Sequence, residues 1–546
     1  MKSYLNKWWG WGDEAKRYSL DPSSHFFEYL TKQFEMENAW TLPPKEDDIE
    51  LPPSRIANST YEALRNLIGP QNVKMDPHTR LCHSLGRSTP DLIQARFKIR
   101  REAPDAVIFA ESIESIAKIL KYCEAENIAL IPFGGGSSVL GGVSPQKKET
   151  HQAVITLNLQ KMDRVLEINA VSHTAQIQAG ILGPDLEKAL NQKNFTLGHF
   201  PQSFEFSTVG GWIATRGSGQ NSIFYGNISD LVLALKVVTP AGILETKKIP
   251  ASSTGPDAKN LLIGSEGAFG VIVEATLKIT PRPVFRTFET FLVKDFKMGV
   301  KVVREIEQDH LRPSLIRLSD AHETQFFLTM NRSKGWKAYL KQRLLKMGLK
   351  KKKIALDQAC FLLVEAQGSH EELTSFKKKI RFFRSQSLSL GGEPGWKWHA
   401  TRFELPYLRD ELLGRGILVD TFETAILWEN VESLYHAVIH ETKKVLTPKG
   451  LVLCHVSHVY ATGACLYFTF LDKASSQPLD QWRVIKEHVT QTILSAGGTL
   501  SHHHGVGRDH LKFLIQEHGP WFVEELKVMK HRLDPKHILN PGKLVE

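Results

Sequence analysis

The chain has 546 residues, 42% of them hydrophobic and 23% charged, a make-up that fits a globular protein and excludes a disordered or fibrous one. That length exceeds what one hydrophobic core supports, so two or three domains are expected. The net charge of +10 fits a basic surface, an anionic membrane or an anionic substrate; nucleic acid is not expected, because no zinc-finger, RNP or helix-turn-helix pattern accompanies the charge.

Met1 to Asp13 carries tryptophans and charge but no signal-peptide core. Residues 1–95 read as a helical extension, with helical patterning at Ser24–Phe34 and Thr60–Ile68 and a proline-rich break at Leu42–Pro53. From Pro104 the texture becomes α/β. Ala106–Phe109 is a strand, Ser112–Asn127 a helix with Ile113, Ile116, Ile119 and Leu120 at helical spacing, and Ala129–Pro132 a second strand. Further strands are expected at Ala153–Leu157, Arg164–Ile168, Thr174–Ala179, Leu231–Val238 and Val271–Ile279. Pro281-Arg282-Pro283 marks a boundary. Beyond it, residues 283–445 read as an α/β substrate or cap domain, and 446–546 as a C-terminal segment that returns to complete the site.

Within the cap, Lys334 to Lys353 holds many lysines and no acidic residue, with Trp336, Tyr339, Leu340, Leu344 and Met347 at roughly helical spacing. That pattern predicts a basic amphipathic helix on an anionic membrane surface. The last elements are a helix around Trp521–His531 and a turn at Asn540-Pro541-Gly542. No apolar run of about 18 residues is present, so no transmembrane helix is expected. Leu544-Val545-Glu546 is not a peroxisomal address. The five cysteines are scattered and lack a CxxC pair, which argues against disulfides and structural zinc. The expected setting is cytoplasmic, with peripheral membrane association.

Four loops carry the chemistry. Pro132-Phe133-Gly134-Gly135-Gly136-Ser137-Ser138 follows a strand, and its glycines leave backbone N–H groups free to wrap a pyrophosphate. It has neither Rossmann nor Walker spacing. Gln202-Ser203-Phe204-Glu205-Phe206-Ser207-Thr208 runs into Val209-Gly210-Gly211, and Thr215-Arg216-Gly217-Ser218 follows. Glu266-Gly267-Ala268-Phe269-Gly270-Val271-Ile272 leads into a strand. In order and spacing these segments resemble the PCMH-type FAD-binding domain of vanillyl-alcohol oxidase and its relatives, over roughly residues 96–282. The resemblance implies an α+β fold of two small subdomains threading FAD between them. Relatives with covalent flavin carry His or Cys at the attachment positions; the loop 132–142 has neither, so non-covalent FAD is expected.

Within that superfamily the chain is most similar to the alkyl-dihydroxyacetone-phosphate synthases. The similarity rests on Lys7-Trp8-Trp9-Gly10-Trp11-Gly12, Glu205 to Trp212, Ile316-Arg317-Leu318, Gly463 to Phe468 and Ser501-His502-His503-His504-Gly505-Val506-Gly507. It implies exchange of the acyl group of acyl-dihydroxyacetone phosphate for a long-chain fatty alcohol through a flavin N5 adduct, without net redox. It also implies that Arg409 binds substrate, that Arg317 matters to activity and that Tyr467 handles the alcohol proton. Tyr467 would need its ordinary pKa, near 10, lowered by neighbouring His or Arg charge. His502, His503 and His504 are candidates for phosphate contact or proton transfer. On a strand they would alternate faces, so at most two would meet one site; no metal is expected. A homodimer is left open. His455 stands where the family has Arg, and Ala268-Phe269 where it has Thr-Leu.

Two other readings stand beside this one. A FAD-dependent D-2-hydroxy-acid dehydrogenase or oxidase shares the flavin domain, but its H-x-G-D-G-N-x-H region is here His458 to Tyr467, without the Asp and Asn and with Tyr467 in place of the second His, and His503 replaces the Glu of its E-H-G. A flavin-bearing membrane adaptor without catalysis is the third.

Overall fold

The computed structural model describes residues 7–36, 40–99, 102–309, 311–332 and 336–545, with the side chains of 336–341 outside the described set. The first sheet contains β1 (Val73–Lys74), β2 (Ala106–Phe109), β3 (Ala129–Phe133) and β4 (Val154–Asn158), in the order β1-β2-β4-β3. The central pairs β2–β4 and β3–β4 are parallel, and the helix Ile113–Ala125 crosses between β2 and β3 with Ile116, Ile119 and Leu120 buried. Parallel neighbours need such a crossover. β1 comes from the N-terminal extension, which therefore contributes an edge strand here.

The second flavin subdomain contains β5 (Val165–Asn169), β6 (Thr174–Gln178), β7 (Phe195–Thr196), β8 (Val232–Thr239), β9 (Gly242–Glu245), β10 (Val271–Lys278) and β11 (Thr280–Pro281). Five of them form an antiparallel sheet in the order β5-β6-β10-β8-β9, and β7 pairs with β11. The strands expected from Ala106 to Ile279 all form, with ends shifted by a residue or two.

The third sheet has seven strands: β12 (Phe285–Val293), β13 (Leu315–Ser319), β14 (Cys360–Gly368), β15 (Ser387–Gly391), β16 (Ile417–Leu427), β17 (Leu451–Val459) and β18 (Gly463–Lys473), ordered β15-β12-β14-β13-β17-β18-β16. β16 lies before residue 445 and β17 and β18 after it, so the expected 445/446 boundary falls within one sheet rather than between two units.

The pleat gives this sheet two faces. Leu418, Phe422, Val452, Cys454, Val456, Leu466, Phe468 and Phe470 point into a core with the helices Phe296–Gln308, Val431–Val445 and Pro478–Ser495. The alternate residues Val419, Thr421, Leu453, His455, Ser457, Tyr467, Thr469 and Leu471 line a cavity on the opposite face. After its last helix, Pro520–Leu533, the chain returns to the first sheet. There Leu130 donates to the Ile538 carbonyl at 2.7 Å and accepts from Asn540 N–H at 2.9 Å.

The basic segment forms the helix Trp336–Lys352. Its inward face is Leu345 and Leu349, packed with Leu292, Ile354 and Ala359. Leu344 and Met347 point outward, 66% and 60% exposed. Lys334 and the side chains of Trp336, Tyr339 and Leu340, which the sequence places on the apolar face, lie outside the described residues.

Candidate functional site

A cavity of about 420 Å³ lies between the two flavin subdomains and the seven-stranded sheet. One end is a cradle of small residues. Pro132, Phe133, Gly134, Gly135, Gly136, Ser137 and Ser138 line it, with Gln202, Ser203, Ser207, Thr208, Thr215, Gly217, Ser218, Glu266, Gly267, Gly270 and Ile272. A Cβ on Gly135 would collide with the Phe206 carbonyl, and Gly136 has φ +67°, which favours glycine. The cradle thus depends on missing side chains, as a backbone-lined phosphate site requires.

Seven residues of the same motifs do not face the cavity. Ala268, Phe269 and Val271 are buried in hydrophobic cores, and Phe204 stacks between Trp212 and Phe403. Phe206 packs edge-on against Trp11. Glu205 and Arg216 also lie off the lining. Their side chains pack within the fold rather than forming the cavity wall.

The other end is polar on the sheet side and apolar beyond. In register, Tyr467 on β18 lies between Glu423 on β16 and His455 on β17. His455 Nδ1 is 2.8 Å from Glu323 and 3.0 Å from Arg317, and its ring stacks on Tyr467 at 4.9 Å. Arg317 pairs with Glu323 at 3.1 Å, so one of its nitrogens is already engaged. Burial alone would raise the Glu323 carboxyl, but His455 and Arg317 hold it down at about 2.

Arg409 lies on the helix Leu405–Gly414. Its Nη1 donates to the Arg87 carbonyl at 2.9 Å, while Nε and Nη2 are buried without a hydrogen-bond partner. Unmade charge-assisted hydrogen bonds on a buried guanidinium are costly, so this end fits an anion that would complete them. Past Arg409 the lining turns apolar, with Phe326, Phe327, Leu408, Leu412, Val419 and Leu453.

The histidine triplet is not on a strand. Residues 501–507 form an irregular loop whose backbone N–H groups at His502, His503 and His504 all donate to Glu423, at 2.5 to 3.2 Å. A carboxylate 79 residues away in sequence overrides the strand alternation expected of the triplet. His503 and His504 line the cavity with Tyr467; His502 stands behind, its Nε2 2.5 Å from the Tyr460 hydroxyl. Burial lowers His502 and His503 to about 4 and lowers His504 as well, so all three are neutral near pH 7. Tyr467 is pushed up to about 12, first by burial and then by Glu423 and Asp420, opposite to the lowering expected from the sequence. The phenol is therefore protonated at rest.

Glu266 holds the second half of the loop, accepting from Val506 and Gly507, the latter at 2.7 Å. Burial pushes its carboxyl up to about 7 against those two donors. Trp11, from the far N-terminus, also lines the cavity, and its backbone N–H donates to Asp410 Oδ2 at 2.6 Å. Sequence reasoning singled out the tryptophan motif as a landmark but not as a wall of the site. It missed Glu423 and Glu323 altogether. The available signal was a charged residue inside an apolar strand pattern, as in Ile417–Leu427, since such carboxylates are buried only when partnered.

Residues 104–247 match the model for an FAD binding domain, and 282–544 that for the C-terminal domain of FAD linked oxidases. The fold and its cradle define a two-domain flavoprotein whose cofactor is FAD. An alkyldihydroxyacetonephosphate synthase of Trypanosoma brucei brucei is 32% identical over 99% of this chain and 92% of its own length. One from Caenorhabditis elegans is 34% identical over 86% and 80%. A solved alkyldihydroxyacetonephosphate synthase structure superposes with a TM-score of 0.83 at 28% identity, covering 99% of this chain and 98% of that one. The chain belongs to the alkyldihydroxyacetonephosphate synthase family.

The cradle gives a direct expectation. Gly135→Ala forces the loop off the Phe206 carbonyl, so the purified variant should carry less FAD per chain than the wild type, read from the ratio of flavin to protein absorbance. Equal flavin content would show that the loop is not the cofactor cradle.

Proposed function

We infer that the chain exchanges the acyl group of acyl-dihydroxyacetone phosphate for a long-chain fatty alcohol, giving the alkyl ether and a fatty acid without net redox. One observation carries this reading. The two partnerless nitrogens of Arg409 sit in a cavity that has the flavin cradle at one side and an apolar arm at the other. A phosphate monoester with a long chain matches that sequence of surfaces: anion at Arg409, C1 toward the cradle, chain along Phe326, Leu408, Leu412 and Leu453.

Bound FAD supplies the ring chemistry that makes the C1–O bond exchangeable and ends in the oxidation state in which it began. The chain's own residues manage charge and protons. The C1–O bond to the acyl group breaks, the carboxylate leaves, and the alcohol oxygen bonds to C1 while its proton passes to the protein. Neutral His503 and His504 are suited to accept that proton, with the Tyr467 hydroxyl, protonated at rest, as the relay. His503 Nδ1 is 3.0 Å from His502 Nδ1, which leaves Nε2 for substrate. The apolar arm holds the chains and limits water, which would otherwise compete with the alcohol.

Two finer readings accompany this one. FAD is held non-covalently, because the loop 132–142 offers neither His nor Cys. The face of the helix Trp336–Lys352 that carries Leu344 and Met347 among lysines meets an anionic membrane, from which both long-chain substrates would come. Among the described residues, no helix is long and apolar enough to cross a membrane.

Under argon, acyl-dihydroxyacetone phosphate and hexadecanol should yield the ether by mass spectrometry with the flavin spectrum unchanged after turnover. Flavin bleaching by D-lactate with no ether product would overturn the reading. Arg409→Lys, which cannot fork onto a phosphate, should lower kcat/KM for the phosphate substrate by about 10- to 100-fold. Acid precipitation should leave the yellow colour in the supernatant; colour on the pellet would mean covalent flavin. Vesicles with anionic lipid should retain the protein at low salt and release it at high salt, and failure to sediment with them would remove the membrane assignment.

A further inference from the structure

The loop that carries the three histidines has no regular secondary structure to fix it. What fixes its first half is one side chain. Glu423, 4% exposed, accepts on Oε2 from His502 N–H at 2.5 Å and from His503 N–H at 3.2 Å. Its Oε1 accepts from the Ser501 hydroxyl at 2.6 Å, from His503 N–H at 3.2 Å and from His504 N–H at 2.9 Å. The Ser501 oxygen in turn accepts from the N–H groups of His504 and Gly505, at 3.2 and 3.1 Å. The same carboxylate is the cross-strand neighbour of Tyr467. The rings of His503 and His504 stand 6.0 and 5.8 Å from the Tyr467 ring. One strand position thus fixes both members of the proton-handling group.

We propose that Glu423 is the positioning residue of this site: its carboxylate sets where His503 and His504 stand against Tyr467, and its charge balances the proton they accept. This deepens the reading above and rests on it.

A cation site is the rival use of this carboxylate. Ligating atoms of Glu423, Cys465, His502 and His503 lie within 4.8 Å of one another. Both carboxylate oxygens are already filled by donors that fold the loop, and a cation would have to displace them. The group is closed around hydrogen bonds.

The charge argument follows from the neighbours. Among the described residues, the only ion-pair distances to Glu423 are from His503 and His504, each 3.5 Å. Other titratable groups turned toward the cluster are Tyr467 and Cys465 on β18, Asp420 on β16, His455 on β17, Tyr460 and His458 at its end, Lys486 from the helix Pro478–Ser495, Arg409 and His510. Lys486 is taken by the Thr421 carbonyl at 2.8 Å and by Asp420 at 3.9 Å. Burial alone would raise the Glu423 carboxyl, but the three imidazoles and the Ser501 hydroxyl hold it well below the usual carboxylate range. Conversely, its charge raises the affinity of all three histidines for a proton against the effect of burial.

The test compares full-length, FAD-loaded Glu423→Gln and Glu423→Asp with the wild type. An amide has one acceptor oxygen and presents N–H to donors, so Glu423→Gln loses both charge and grip. Its kcat for ether formation should fall at least about tenfold, with KM for acyl-dihydroxyacetone phosphate within about twofold. Removing the carboxylate weakens proton binding by the imidazoles, so the acid limb of the kcat profile should move to lower pH. Glu423→Asp keeps the charge but falls one methylene short, so it should combine a low kcat with the wild-type limb. Wild-type kcat in Glu423→Gln, or a limb that stays in place in both variants, would overturn the proposal. Titration of histidine resonances in selectively labelled protein reads the same shift without turnover. A lower midpoint for His503 and His504 in Glu423→Gln supports the proposal even if the chain makes no ether product. Unchanged midpoints refute it, and Glu423→Asp serves both measurements if Glu423→Gln does not fold.

Discussion

A buried polar group is tolerated only when its hydrogen bonds are made, and the architecture of this site follows from that constraint. The seven-stranded sheet sends one set of alternate residues into an apolar core and the other set, including His455 and Tyr467, into the cavity. Each polar residue on the cavity face then needs a partner. Arg317 and His455 share one oxygen of Glu323 across strands and helix. Glu423 has no side-chain cation of comparable reach, and it takes the backbone of the histidine loop instead. The loop's shape is therefore a consequence of the strand, although the two are far apart in sequence.

Arg409 is the exception that gives the cavity its meaning. Around it, Arg87, Arg96 and Lys7 all find protein acceptors. Two nitrogens of Arg409 do not. Arg96 leaves only Nε unpaired, whereas Arg409 leaves both Nε and Nη2, and an orphaned buried donor costs about 1–3 kcal/mol. The unmatched donors and the apolar wall beyond them together describe one ligand with an anionic head and an apolar tail.

What was legible in the sequence was what is local. The glycine loops could be read because their requirement, an absence of Cβ, is written in the residues themselves; Gly135 against the Phe206 carbonyl is an instance. Strand and helix positions from Ala106 onward followed from periodicity, and the helix Ile113–Ala125 follows its apolar spacing closely. The site's electrostatics were not legible. The direction of the Tyr467 shift was misjudged because its sign depends on burial and on carboxylates at 420 and 423, which sequence cannot place beside it. The fold of the histidine loop was not legible for the same reason, although two of its three histidines line the cavity. The second apolar face of the basic helix was not legible either, because Leu345 and Leu349 are drawn inward by Leu292, on a strand more than fifty residues earlier.

The N-terminal segment shows the same logic acting between distant parts. Gly10 passes so close to Asp410 that a side chain there would collide with the carboxylate, and Gly12, at φ +72°, does the same against the Tyr407 hydroxyl. Tyr407 and Asp410 flank Arg409 on one helix, and Arg96 donates to the Asp410 carbonyl at 2.8 Å. The helix that presents the unmatched guanidinium is therefore held on its other face by residues 7–12, and Trp11 carries the contact onward to Phe206 in the second flavin loop. The extension is part of the site's scaffold, because the position of Arg409 relative to the flavin cradle is set through it. The cavity draws its lining from stretches as far apart as Trp11 and Gly507, and the two unmatched donors of Arg409 reach it only because the N-terminal segment holds their helix in place.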